Sequence, residues 1–204
     1  MLTDASPTRN QILDCGERLI ASKGFVGVGL AEILASAGVP KGSFYHYFSS
    51  KERFGEVLLA RYIERYLQQL DALLQPDGTP ARARLMRYWS YWNVAQCGIG
   101  EGAESQASPK CLIVKLSAEV ADISEPMRQT LRDGTDGVLQ RLAQCLEEAR
   151  QDGSVPASLD ARGAAEALYA LWLGASLLTK LRRDGSAFEQ ATRSTELLLG
   201  PGPA

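Results

Sequence analysis

The stretch that most limits how this chain can fold is LAEILASAGVPKGSFYHYF, residues 30–48. Gly38-Val39-Pro40 breaks an apolar helical pattern, and Pro40 sits where a new helix would begin. The first short helix is expected over Leu30–Ala37, with Gly29 as a permissible but weaker N-cap. The second is expected to run to about Phe48. Upstream, RNQILDCGERLIAS (9–22) sets Ile12, Leu13, Cys15, Gly16, Leu19 and Ile20 on one face, with Gly24 past the last turn. Downstream, Ser49 or Ser50 caps a long helix to about Leu74, and Ser49 with Glu52 reads as a capping box. Helix, short helix, tight turn, short helix, long helix is the order of a helix-turn-helix.

In that motif the N-terminal residues of the second helix meet base edges in the major groove. Here they are Lys41, Gly42, Ser43 and Phe44. Lys41 can donate to guanine O6/N7, and Gly42 lets backbone approach closely. Tyr45 and His46 carry polar tips suited to phosphate oxygens. Lys51, with the unpaired amides opening the next helix, offers an anion site. Phe48 is expected to pack inward. A plain core reading suffices for Phe44 or Phe48 alone, but it does not explain Tyr45, His46 and Lys51 sharing so short a segment with Lys41. Charge is local here. Residues 1–60 hold Arg9, Arg18, Lys23, Lys41, Lys51 and Arg53 against Asp4, Asp14, Glu17, Glu32, Glu52 and Glu56, yet 38–51 contains two lysines and no acid. With a net charge of −2 over the whole chain, any nucleic-acid surface must be confined to such a patch.

RNQILDCGERLIASKGFVGVGLAEILASAGVPKGSFYHYFSSKERF resembles the DNA-binding domain of TetR-type bacterial repressors over its whole length. The Ile-Leu of the first helix, Gly24-Phe25, Ile33, AGVPKGSFYHYF and SKE carry the resemblance. Gly29 departs from it, standing where the family usually has a Ser or Thr cap. The resemblance implies an all-α fold of about nine helices. A helix-turn-helix domain would occupy residues 6–66, with its reading motif at about 29–48, and a sensing and dimerisation domain would occupy 67–204. It implies a homodimer through the last two long helices, joined as a four-helix bundle with two-fold symmetry. The two reading heads then match a palindromic operator about 34–36 Å apart.

The remainder of the chain is also helical in pattern. A segment from about Ala81 to Cys97 carries RYWSYWNV, and the Gly-rich CGIGEGAESQASPK follows it. Its G-x-G-x-G string lacks a preceding strand and a P-loop lysine, so it is not a dinucleotide loop. CLIVKLSAEVAD leads to Ser124-Glu125-Pro126, which opens a helix to about Gln151; QDGSVPAS is a linker. Residues 160–182 are apolar on most sides, as expected of a helix buried all round by a partner chain, and 186–199 form a last helix. No apolar run approaches the roughly 20 residues of a membrane span. MLTDASPTRNQ lacks the regions of a signal peptide, and the four cysteines (15, 97, 111, 145) form no CxxC. A cytoplasmic chain with reduced thiols, no cofactor and no metal is expected. It is not expected to be an enzyme: its one histidine lies in the reading helix, and no nucleophile–base spacing accompanies it.

SPKCLIVKLSAEVADISEPMR and LYALWLGASLLTK resemble the C-terminal half of electrophile- and oxidant-sensing repressors within the same family. That resemblance implies Cys111 as the reactive thiol, Lys180 as its nitrogen partner, and a small electrophile or oxidant as inducer. The residues themselves leave two readings of Cys111 open. Ser108-Pro109-Lys110 would open a helix and set the sulfur near amide dipoles, with Lys110 beside it and Lys115 one turn on, and such surroundings favour thiolate. The apolar CLIVKL equally fits a buried helix residue. Cys15 and Cys145 read as small core residues, and Cys97 as exposed at a helix end. Lys180 reads either as a solvated helix end or as a nucleophile toward oxidised sulfur. A second route to induction is a reversible hydrophobic or aromatic ligand in a pocket lined by Tyr88, Trp89, Trp92 and Trp172.

Overall fold

The computed structural model describes residues 6–97 and 111–200 of the 204-residue chain. Among the described residues run nine helices: α1 (Pro7–Lys23), α2 (Leu30–Ala37), α3 (Lys41–Tyr47), α4 (Lys51–Leu74), α5 (Ala81–Cys97), α6 (Leu112–Ala121), α7 (Glu125–Gln151), α8 (Ala161–Arg182) and α9 (Ser186–Leu199). The all-α expectation holds, with helix ends within two residues of those read from the pattern. None of these helices is long and apolar enough to cross a membrane. The Gly-rich stretch 98–110 lies outside the described residues. Packing divides the chain into two compact units, Met1–Glu64 with Pro109–Asp133, and Arg65–Ser108 with Gly134–Ala204.

In the first unit the helix ends are set by local chemistry. Gly38 takes the left-handed conformation (φ 62°, ψ 31°), and the amides of Gly38 and Val39 return to the carbonyls of Ala35 and Leu34, both at 3.2 Å. This is a Schellman ending, and glycine adopts its backbone without the steric cost a Cβ would add. Pro40, extended, caps α3 rather than opening it. The cap of α4 differs from the expected Ser49–Glu52 box: Ser50 Oγ accepts the Arg53 amide at 3.0 Å. Two adjacent serines offer the same hydroxyl one register apart, and the backbone entering α4 selects the second. The Glu52 carboxylate bonds its own amide and the Ser50 hydroxyl instead, which holds its pKa below the usual range.

The core of this unit is aromatic. Phe44 and Phe48 from the reading motif meet Phe54 of α4 with ring centroids 5.5 and 5.1 Å away, and all three are at most 1% exposed. The Phe54 ring rests where any side chain at Gly16 would stand, so a ring carried by α4 packs directly on the backbone of α1. At Gly55 an added Cβ would lie 2.5 Å from both the Phe25 ring and the Met127 sulfur.

The second unit is tied by buried polar contacts. Arg84, 4% exposed, donates to the last carbonyl of α4, at Leu74, and to Glu148 at 2.7 Å. Asp152 and Ser154, just past α7, accept the first amides of α5 from Ala81 and Arg82 at 2.7 and 3.2 Å. On α8 and α9, Leu177, Leu181 and Leu197 are 52%, 71% and 82% exposed, so the chain alone does not bury α8 on every side.

Gly55→Ala is expected to lower stability by about 1–3 kcal/mol through overpacking, since ring and sulfur must both retreat. Chemical denaturation, read as a fall in midpoint at constant slope, checks it.

Candidate nucleic-acid interface and sensor thiol

α3 sorts its residues by face. Lys41, Gly42, Tyr45 and His46 are exposed, Ser43 is half-buried, and Phe44 has no exposed surface. This pattern, with outward positions at i, i+1, i+4 and i+5, is one side of a helix. Phe44 must therefore be corrected from a DNA contact to a core residue, because its ring is enclosed by Tyr45, Phe48 and Phe54. On the outer side the Lys41 ammonium lies 5.8 Å over the Tyr45 ring. Around Gly42 nothing comes within 4 Å of where a Cβ would be, so the chain's own packing does not require glycine there. Lys51 already has partners. Its Nζ donates to the Phe25 carbonyl at 2.8 Å and lies 4.5 Å over the Phe25 ring, leaving two of its three donors for anything else. The N-terminus of α1 is held to α3 by a bond between the Ser6 and Tyr47 hydroxyls at 2.7 Å, a tie that neither residue type announces.

Cys111 is 3% exposed and stands as the N-cap of α6, one residue ahead of the helix. Of the two sequence readings, burial is the one observed. Ser108, Pro109 and Lys110 lie outside the described residues. The amide following the thiol, that of Leu112, donates to the Tyr62 hydroxyl of α4 at 3.3 Å. Lys115, expected to stand one turn beyond the thiol, sends its ammonium to the Ser22 carbonyl at the end of α1, 3.3 Å away. Glu119, on the last turn of α6, accepts the amides of Phe25 and Val26 at 3.1 and 2.6 Å. Sequence reasoning missed this residue. A lone acid on an apolar helix carries no local signal, and its partners are 93 and 94 positions away.

The other thiols sit as expected where they are described. Cys15 is buried, donating to the Ser36 carbonyl at 3.4 Å and receiving Arg18 at 3.2 Å. Cys145 is buried against the Ala81 carbonyl, and burial pushes its thiol pKa up to about 11. The Cys97 side chain lies outside the described residues. Lys180 is exposed in the last turn of α8.

The structure brings the four aromatic candidates together. Tyr88, Trp89, Trp92 and Trp172 are 1–3% exposed, with Trp89 stacked on Trp172 at 4.8 Å and 10°. The Trp92 and Trp172 indoles donate to Ser176 and Thr195 at 2.8 and 3.0 Å, while the buried Trp89 N–H has no acceptor. As folded, the rings pack on one another, and a ligand would have to part them. Among the described residues no cluster of three or more His, Cys, Asp or Glu could hold a metal ion.

Two family models match this chain. One, described as bacterial regulatory proteins of the tetR family, covers residues 12–55; the other, described as the tetracyclin repressor-like C-terminal domain, covers residues 80–195. The HTH-type transcriptional repressor NemR of Escherichia coli (strain K12) is 42% identical over 184 residues, which is 90% of this chain and 89% of that protein. The transcriptional regulator AcuR of Cereibacter sphaeroides is 33% identical over 193 residues, 94% of this chain and 84% of that protein. A crystal structure of the reduced form of E. coli NemR superimposes with a TM-score of 0.86 at 41% identity, covering 97% of this chain and 98% of that one. The helix-turn-helix order, the exposed α3 face and these matches along nearly the whole length agree: the chain belongs to the TetR family of transcriptional regulators.

Proposed function

We propose that this regulator is a homodimeric repressor that reads a palindromic operator through α3 and is released when Cys111 is alkylated or oxidised. Residues 6–66 serve as the DNA-binding domain and 67–204 as the sensing and dimerisation domain. The observation that carries the DNA reading is the two-sided α3: phenylalanines hold it from within while Lys41, Gly42, Tyr45 and His46 face outward. Gly42 strengthens it, since an open glycine in a helix gives up helix propensity that only an approaching partner would repay. The exposed leucines of α8 and α9 are the apolar surface a second copy would cover, and TetR-type repressors hold their two heads through these helices.

The thiol reading is supported by where Cys111 sits and by the relative named as a repressor with a reduced form. Burial at 3% does not count against a switch. A reagent reaches the sulfur through local opening. The adduct must then be accommodated in packed surroundings, at a cost of about 1–3 kcal/mol for overpacking. Allosteric couplings have the same size, about 1–3 kcal/mol or 5–150-fold in affinity, so an adduct there can carry the whole switch if the DNA-competent state bears the strain. Lys180 is assigned as the amine that captures the oxidised sulfur: a two-electron oxidant leaves a sulfenic acid, and the neutral amine displaces its oxygen as water to form an S–N bond. One observation favours reversible induction instead. The buried Trp89 N–H without an acceptor is what a polar-tipped aromatic ligand would satisfy on entering the cluster.

In quantitative gel shifts, Lys41→Ala should change preference among operator sequences by about 1–3 kcal/mol if it reads guanine. Tyr45→Phe and Lys51→Ala should weaken all sequences alike, with Lys51→Ala flattening the salt dependence. Gly42→Ala should raise thermal stability, by up to about 1 kcal/mol, while weakening the operator complex. Unchanged shifts for all four would move the reading face elsewhere.

Cys111→Ser should bind operator normally and keep it after N-ethylmaleimide or hypochlorite. Lys180→Ala should blunt release by the oxidant and leave release by the alkylating agent intact. Cys15→Ser and Cys145→Ser should respond as the parent does. Full release from Cys111→Ser under both reagents would shift the assignment to the aromatic cluster. With a thiol pKa near 11, Cys145 in the native protein should resist alkylation at pH 8. The same shift should make stability decline as pH rises through 9, where an unfolded thiol ionises, toward 11, where the folded one does.

A further inference from the structure

α6 has the thiol at one end and the turn ahead of the reading motif at the other. At its start, Cys111 caps the helix and the next amide is held by Tyr62 of α4. At its finish, Glu119 accepts two consecutive amides, Phe25 and Val26, from the turn between α1 and α2. Midway, Lys115 reaches the Ser22 carbonyl on the other side of the same turn. The chain leaving α1 is therefore bonded to α6 twice, through a carbonyl in the last turn of α1 and through the first two amides after Gly24.

The turn is built to admit this grip. Gly24 has φ 85°, a region that side chains disfavour, and a Cβ there would stand 2.9 Å from a Glu119 oxygen. Only glycine at this position lets the carboxylate come down onto the amides. Phe25, gripped from above by Glu119, is also held through its carbonyl and ring by Lys51 of α4. Its ring packs at Gly55 beside Met127. Val26 is 64% exposed, so apolar packing does not hold this part of the turn and the carboxylate does. Bonds from two amides to one ionised carboxylate are charge-assisted, the stronger kind.

We infer that Glu119 is a positioning residue that links the thiol segment to the reading head: a displacement of α6 at Cys111 moves the Phe25–Val26 amides, and through the turn moves α2 and α3. The inference deepens the thiol reading above and rests on it. It assigns the route to a pair of hydrogen bonds, and a rigid α6 is what makes the two ends move together. Linkage requires the bonds to differ between the operator-bound and released states; a grip equally good in both would transmit nothing.

The test uses the full-length protein, with N-ethylmaleimide as the modifying reagent and two variants, Glu119→Ala and Glu119→Gln. Labelling at Cys111 is followed by mass spectrometry, operator affinity by titration before and after complete labelling, and the 24–29 segment by hydrogen exchange. In the parent, labelling should weaken operator binding at least tenfold and speed exchange at Phe25 and Val26. In Glu119→Ala those amides should exchange fast from the outset. The unlabelled variant should bind operator within about threefold of the parent and label at the same rate, while the labelled-to-unlabelled affinity ratio falls to about two or less. Glu119→Gln keeps one acceptor oxygen and should lie between. A merely structural role would alter stability or unlabelled binding but leave that ratio intact. Three results overturn the inference: a parent-like ratio in both variants, loss of operator binding by unlabelled protein in both, or no change in exchange on labelling the parent. A parent that keeps its operator after complete labelling overturns the thiol reading itself, and the link with it.

Discussion

The reading face depends on the contact between Phe54 and the backbone at Gly16. Because Gly16 carries no side chain, the Phe54 ring of α4 seats on the backbone of α1, where it also meets Phe44 and Phe48. Three fully buried rings fix the rotation of a helix of only seven residues, one that could not hold its own shape in water. Once that rotation is fixed, Lys41, Gly42, Tyr45 and His46 can only face out. A substrate of defined spacing, such as the base edges of a duplex, needs that kind of rigidity in its reader. Ser6–Tyr47 and Lys51–Phe25 add polar ties at the two ends of the same knot.

α6 presents the complementary problem, how a change deep in the protein reaches that face. In the proposed switch, an adduct on the enclosed Cys111 thiol must be accommodated beside an enclosed helix start, and it would act by displacement. At the far end the connection is polar and directional, through Glu119 and Lys115: Phe25 and Val28 of the turn are buried, but the exposed Val26 is held by the carboxylate. For a switch of that kind, packing at the thiol end and hydrogen bonds at the turn end suit the two environments. Among the described thiols outside this segment neither has the arrangement: Cys145 is buried in the core with its pKa raised, and Cys15 of α1 donates to the Ser36 carbonyl of α2.

Much of the fold was legible in the sequence, because its signals are local. Gly38 and Pro40 stop and restart the chain within three residues, and the helical periods on either side are short and clean. Of the two serines read as caps of α4, Ser50 takes the role and the Ser49–Glu52 box does not form, because both offer the same chemistry and only the incoming backbone distinguishes them. α3 forms where the pattern places a helix, but Phe44 lies on its inner face, since an aromatic at a helix start reads equally as contact or core. The burial of Cys111 was one of two open readings, because CLIVKL is apolar whether or not its first residue is enclosed. Glu119 was not legible at all. Its role comes from amides more than ninety positions away, and no spacing rule in a single sequence connects them.

The proposed switch joins two events, a covalent change at one sulfur and the loss of an operator complex. They are tested together by titrating the operator-bound protein with N-ethylmaleimide while the same samples are read by intact and peptide mass spectrometry. The account predicts that the fraction of operator released follows the fraction of Cys111 carrying the adduct, with Cys15 and Cys145 unmodified throughout. Release that runs ahead of any adduct at Cys111, or an operator complex that survives its complete modification, would contradict it.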